Sequence, residues 1–97
     1  MLHAANAAAR LLRTMGSGPR LRILCTLLQS ERSSGDIARE LGMREPAASQ
    51  QLALLRAEGL VDARRDGQRI IYRIANPVIE RLIGVLHESF CAAVPQR

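Results

Sequence analysis

A chain of 97 residues makes one small domain with a modest core, one whose leftover apolar surface a second subunit can usefully cover. The net charge is +5 and all 14 basic residues are arginine, whose planar fork binds phosphate and guanine bidentately; this balance fits a polyanionic partner, or else an arginine-only surface that reflects coding bias. No apolar run nears the ~18 residues of a membrane span, no apolar segment followed by a cleavage site opens the chain, and two cysteines in that setting imply a cytoplasmic protein with free or redox-active thiols.

From the N-terminus, Ala5, Ala8, Leu12 and Met15 recur at helical spacing and predict a first helix over 2–15. It is too apolar for full exposure and is expected to pack on the body or on a partner subunit. Gly16-Ser17-Gly18 breaks it, and Pro19 suits the first turn of a second helix. There Leu21, Leu24, Cys25 and Leu28 share a face that Ile23 and Leu27 widen, so Cys25 lies within or beside an apolar stripe. Residues 29–34 read as a polar connection. Ser33 and Asp36 have the spacing of a capping box, which starts the third helix near Ser34.

Ile37, Ala38 and Leu41 form one apolar face, and Gly42 follows at a position that favours a left-handed cap. Apolar spacing resumes with Ala48, Leu52 and Leu55, leaving Ser49, Gln50 and Gln51 on other faces. Two helices joined by a tight turn over about 35–58 form a helix-turn-helix, whose second helix enters the DNA major groove. Gly59 ends that helix. The period then changes to two. Asp66-Gly67, between runs rich in β-branched residues, predicts a hairpin over about 61–74 closed by a type I′ turn. Arg64, Arg65 and Arg69 make it a basic wing. Asn76 and Pro77 open a last helix over about 77–91, with Ile79, Leu82, Ile83, Leu86 and Phe90 as its stripe and Cys91 at its end. The predicted architecture is mainly α (α+β), a single winged helix-turn-helix domain over 1–97 in the order ααααββα.

The stretches PRLRILCTLL, GDIARELGMREPAASQQLALLRAEGLV, RRDGQRIIYRI and NPVIERLIGVLHESFC resemble the ArsR family of winged-helix repressors, over nearly the whole chain. The resemblance implies a homodimer through the first and last helices, bound to palindromic double-stranded operator DNA and released by an inducer. The family's thiolate metal site falls on Ser33 and Gly35, which cannot supply soft ligands. Its last-helix site falls on Asn76 and Val78, with His87 and Glu88 out of register. His87 and Cys91 share a face, but two ligands make an incomplete zinc site. No metal or other cofactor is expected.

The cysteine pair, Cys25 in the second helix and Cys91 at the end of the last, resembles the family's sulfide- and persulfide-responsive branch. In that branch reactive sulfur species bridge the two thiols through added sulfur atoms, and DNA is released. A thiolate attacks a sulfane sulfur and a resolving thiol closes the bridge. A direct disulfide needs Cα atoms about 4.4–6.8 Å apart, so thiols held somewhat farther apart would accept only a longer bridge. Read singly, each cysteine is equally a small packed hydrophobe.

For DNA contact, the resemblance carries the base-reading role to Ser49, Gln50 and Gln51, with Gln51 standing where histidine is common. Arg44 occupies the recognition helix's usual serine cap and cannot accept its N–H bonds, so either the helix starts later, at Glu45, or Arg44 contacts phosphate. The alternative for these polar residues and for each wing arginine is a solvated face. No acid/base pair, nucleophilic triad or phosphate loop marks an enzyme. Three other functions fit the same residues: a general oxidant sensor closing a plain disulfide, an activator that displaces another DNA-binding protein, and a winged-helix protein-interaction module.

Overall fold

The computed structural model describes residues 2–91, with the side chains of 2–90. Among these residues the order is α1 (Leu2–Met15), α2 (Gly18–Gln29), β1 (Arg32–Ser33), α3 (Ser34–Leu41), α4 (Glu45–Ala57), β2 (Val61–Asp66), β3 (Arg69–Ile74) and α5 (Pro77–Leu86), the last running into a π-helical turn over His87–Cys91. No helix among them is long and apolar enough to cross a membrane.

Local chemistry sets the helix ends. Ser17 caps α2, its hydroxyl accepting from the Arg20 N–H, with Pro19 in the first turn. Ser33 and Asp36 form the reciprocal capping box of α3: the Asp36 N–H donates to Ser33 Oγ at 3.1 Å and the Ser33 N–H to Asp36 Oδ2 at 3.2 Å. Gly42 closes α3 in the left-handed region at φ 66°, where any other residue would be strained. The Asn76 side chain caps α5 by accepting from the Ile79 N–H at 3.0 Å.

Two local features differ from the sequence expectation. The 29–34 connection contains β1, which pairs antiparallel with β3 at Arg32↔Tyr72 and Ser33↔Ile71, giving a sheet of order β1-β3-β2. Two residues are too few to express a period, so this strand exists only through its partner. The hairpin turn also sits one residue later than expected. Asp66 pairs with Arg69, leaving Gly67 and Gln68 as the central residues, and only Gly67 has positive φ, at 66°. That is the glycine-first pattern of a type II′ turn, in place of the type I′ turn over Asp66-Gly67.

The core gathers around α2, which touches α1, α3, α4, α5 and β3. Ile23, Leu24 and Leu27 of α2 pack with Ile37 and Ala38 of α3, Ala48, Leu52 and Leu55 of α4, then Leu60, Val61, Ile79 and Ile83. The buried centre of α2 is thus Ile23, Leu24 and Leu27, with Leu21, Cys25 and Leu28 partly covered at its border. On α5, Ile79 and Ile83 are buried as the stripe predicts, but Phe90 is 69% exposed. The π-helical turn inserts extra backbone per turn, so α-helical spacing no longer carries Phe90 onto the buried face. α1 buries only Met15 and leaves Leu12 56% exposed, and Val85 of α5 is 58% exposed.

Candidate nucleic-acid interface and thiol groove

α3 and α4 form the helix-turn-helix. The Ala48, Leu52 and Leu55 face of α4 is buried, which fixes the helix's rotation and turns Ala47 and Gln50 to solvent. α4 begins at Glu45, with Arg44 as a cap residue that makes no side-chain capping bond and is exposed. Arg44 therefore keeps the cap position, with Glu45 as the first helical residue, and leaves the cap bond unmade. Glu45 ties the motif together by accepting from the Ser34 hydroxyl at 3.2 Å.

The wing is bound to this motif by Arg69. Its Nη2 donates to Asp36 Oδ2 at 2.6 Å and to Ser33 Oγ at 3.0 Å, so the α3 capping box also anchors β3. The Ser33 backbone N–H and then its hydroxyl hold the Asp36 carboxyl below the usual carboxylate range, with Arg69 and Arg39 adding to the effect against partial desolvation. Between the wing and the two helix starts lies a polar groove of about 570 Å³, lined by Asp36, Arg39, Glu45, Ser49, Gln68 and Arg69 among others. Ser49 and Arg69 of the predicted site thus share one surface.

The other predicted residues separate. Gln50 is exposed, whereas Gln51 is half-buried and its Oε1 accepts from Arg20 Nη1 at 3.2 Å. Arg65 lies at the wing tip, its Nε donating to the Gly67 carbonyl at 3.2 Å. Arg64 is ion-paired with Glu31 and lines a second cleft, of about 280 Å³, with Arg56, Asp62 and Arg73. Spacing does not single out Arg20, which reaches Gln51 31 positions on, Arg73, which pairs with Asp62 across the hairpin, or Arg56, which lines the second cleft; Arg39 is legible only as the i, i+3 partner of Asp36.

Across the molecule, α2 and the end of α5 enclose an apolar groove of about 560 Å³, lined by Leu21, Cys25, Leu41, Leu86, His87 and Phe90 among others. Cys25 is half-buried there. His87 Nδ1 is buried with no hydrogen-bond partner among the described residues. The π-helical turn that supplies His87 and Phe90 ends at Cys91, whose side chain lies outside the described residues. Ser33 and Asn76, which stand at the metal-site positions of the family the chain resembles, are both engaged as helix caps.

A helix-turn-helix followed by a basic antiparallel wing, on a small helical body, defines a winged helix-turn-helix transcription regulator. The model for the bacterial regulatory protein, arsR family, matches residues 18–63. The Biofilm growth-associated repressor of Agrobacterium fabrum is 44% identical over 88 residues, covering 91% of this chain and 75% of that protein. The reduced structure of HlyU from Vibrio cholerae superimposes with a TM-score of 0.89 at 36% identity, covering 94% of this chain and 96% of that one. A homodimeric winged helix-turn-helix DNA-binding domain from Mycobacterium bovis gives a TM-score of 0.83 at 34% identity, covering 99% and 89%. This chain belongs to the ArsR family, and with it to DNA-binding transcriptional regulators rather than enzymes.

Proposed function

We propose that the whole chain, residues 1–97, acts in the cytoplasm as a homodimeric operator-binding repressor that lets go of DNA when reactive sulfur species bridge Cys25 and Cys91. The supporting observation is the apolar groove, where Cys25 of α2 faces wall residues supplied by the same π-helical turn that ends at Cys91. A bridge there would tie α2 to α5. Because α2 touches α4 as well as α5, the tie would move the recognition helices of a dimer away from half-sites about 34–36 Å apart.

The chemistry balances without another oxidant. Each cysteine thiolate attacks the outer sulfur of a persulfide, RS–SH, forming Cys–S–SH and expelling RS⁻. One of these persulfide anions attacks the cysteine-bound sulfur of the other, expelling HS⁻ and closing a trisulfide. Two cysteine sulfurs are oxidised as one sulfane sulfur leaves as sulfide.

For dimerisation, the support is the exposed apolar set on α1 and α5 (Leu12, Val78 and Val85) together with the homodimeric description of the Mycobacterium bovis relative. On DNA, Ser49, Gln50 and Gln51 read bases, while Arg44, Arg65 and Arg69 contact phosphate. Arg64 does so only by leaving Glu31, and Arg69 only through the N–H groups it does not give to Asp36 and Ser33. The Vibrio cholerae relative is described as a transcriptional activator, at 38% identity. That favours a second reading in which operator position decides between repression and activation.

The test is the intact mass of reduced protein treated with an organic persulfide or with peroxide. Loss of both thiols with added sulfur, on persulfide alone, supports the switch. Loss of two hydrogens with peroxide indicates an oxidant sensor instead. Two alkylatable thiols after both treatments would make the cysteines packing residues.

A further inference from the structure

We infer that Arg20 sets which base Gln51 reads, by occupying the Gln51 side-chain oxygen; this rests on Gln51 being a base-reading residue. Arg20 stands in the first turn of α2, its backbone N–H capped by Ser17. Its guanidinium reaches two other elements, donating through Nε to the Thr14 carbonyl at the end of α1 and through Nη1 to Gln51 Oε1 at 3.2 Å. Both Arg20 and Gln51 are half-buried, so the bond lies at the edge of the packed body rather than on a mobile surface arm.

The consequence follows from donor chemistry. A guanidinium has donors only, so the Gln51 amide must turn its oxygen towards Arg20 and its NH₂ away. An unconstrained glutamine recognises adenine bidentately, accepting from N6–H and donating to N7. The oxygen keeps a second lone pair, but the amide is turned so that its NH₂, with two N–H donors, is the group presented away from Arg20 and towards the groove. That pattern suits guanine, whose N7 and O6 are both acceptors, and mismatches the donor at adenine N6. Arg20 is therefore a positioning residue that turns an adenine reader into a guanine reader without touching a base.

Duplexes selected from a random library by the full chain, and by its Gln51→Ala variant, identify the base pair whose preference depends on Gln51. At that pair the unmodified chain should favour guanine over adenine by about tenfold. Arg20→Met keeps the aliphatic stem and removes the donors, and should shift the balance towards adenine by about tenfold at that pair alone. Arg20→Lys retains a donor and should keep guanine. A preference for adenine in the unmodified chain overturns the inference whatever the variants do. It is equally overturned if Arg20→Met lowers affinity for all sequences alike, or leaves that pair unchanged. If Gln51→Ala alters no base preference, Gln51 does not read DNA and the inference falls with that premise.

Discussion

The DNA-facing side and the α1/α5 side of this molecule are finished to different degrees. On the first, junctions between elements are closed by side chains of the same chain: Ser34 to Glu45 joins α3 to α4, Arg69 to Asp36 joins the wing to α3, and Arg20 to Gln51 joins α2 to α4. On the second, Leu12, Val78 and Val85 stand exposed and α5 leaves α-helical geometry at His87. The difference separates the labour. One chain suffices to shape the helix-turn-helix and its wing, whereas pairing two such units depends on surfaces that one chain leaves open.

Breaking the open side should have the largest effect. The double variant Leu12→Glu and Val85→Glu is expected to sediment as a folded monomer and to bind a palindromic operator about a hundredfold more weakly, because the two half-sites no longer act together. A dimer of unchanged affinity would move the interface elsewhere. On the closed side, the wing arginines should differ. Arg65→Ala is expected to lower the slope of log affinity against log salt by about two, roughly one for each subunit of the dimer. Arg64→Ala should change it less, since Arg64 is already paired with Glu31. Equal changes would mean that DNA displaces Glu31.

Smaller effects concern folding. Ser33→Ala removes the α3 cap and one partner of Arg69, and should cost about 1 kcal/mol in denaturant unfolding. Gly42→Ala meets no atom within 4 Å, so its cost, again about 1 kcal/mol, is left-handed backbone strain alone. Asp36 sharpens the comparison through pH. Its folded carboxyl titrates below its ordinary value, so the stability it contributes is fully present above that value and is lost as pH falls through the depressed one. Asp36→Asn should therefore flatten the acid limb of a stability-against-pH curve and leave the region above pH ~5 without that dependence. The smallest change is expected for Arg10→Ala, which breaks an exposed pair with Glu58 and should leave the melting temperature unmoved within error.

How much of this was legible in the sequence follows the reach of the forces involved. Caps and turns are local, and Ser33, Gly42, Asn76 and the apolar face of α4 stand where spacing predicts them. β1 was not legible, because two residues carry no period and its partner lies about forty positions away. The turn was displaced by one residue because Asp66 extends the strand. The arginines were legible as a basic surface but not as individuals. Arg69 holds Asp36, Arg64 holds Glu31 and Arg20 holds Gln51, and those pairings depend on packing that the sequence does not print. For the thiols, Cys25 was readable as bordering an apolar stripe, while the groove it shares with His87 and Phe90 appears only once α5 is seen to change its winding.

The central claim, that sulfur bridging at Cys25 and Cys91 releases DNA, is tested most directly by fluorescence anisotropy on a selected operator duplex. Reduced protein is titrated before and after treatment with an organic persulfide, alongside Cys25→Ser and Cys91→Ser. The account predicts that treatment weakens binding by the chain with both cysteines by about 5- to 150-fold, reversibly on adding a thiol reductant, and leaves both variants bound. Undiminished binding after treatment, or release that persists in either variant, would contradict it.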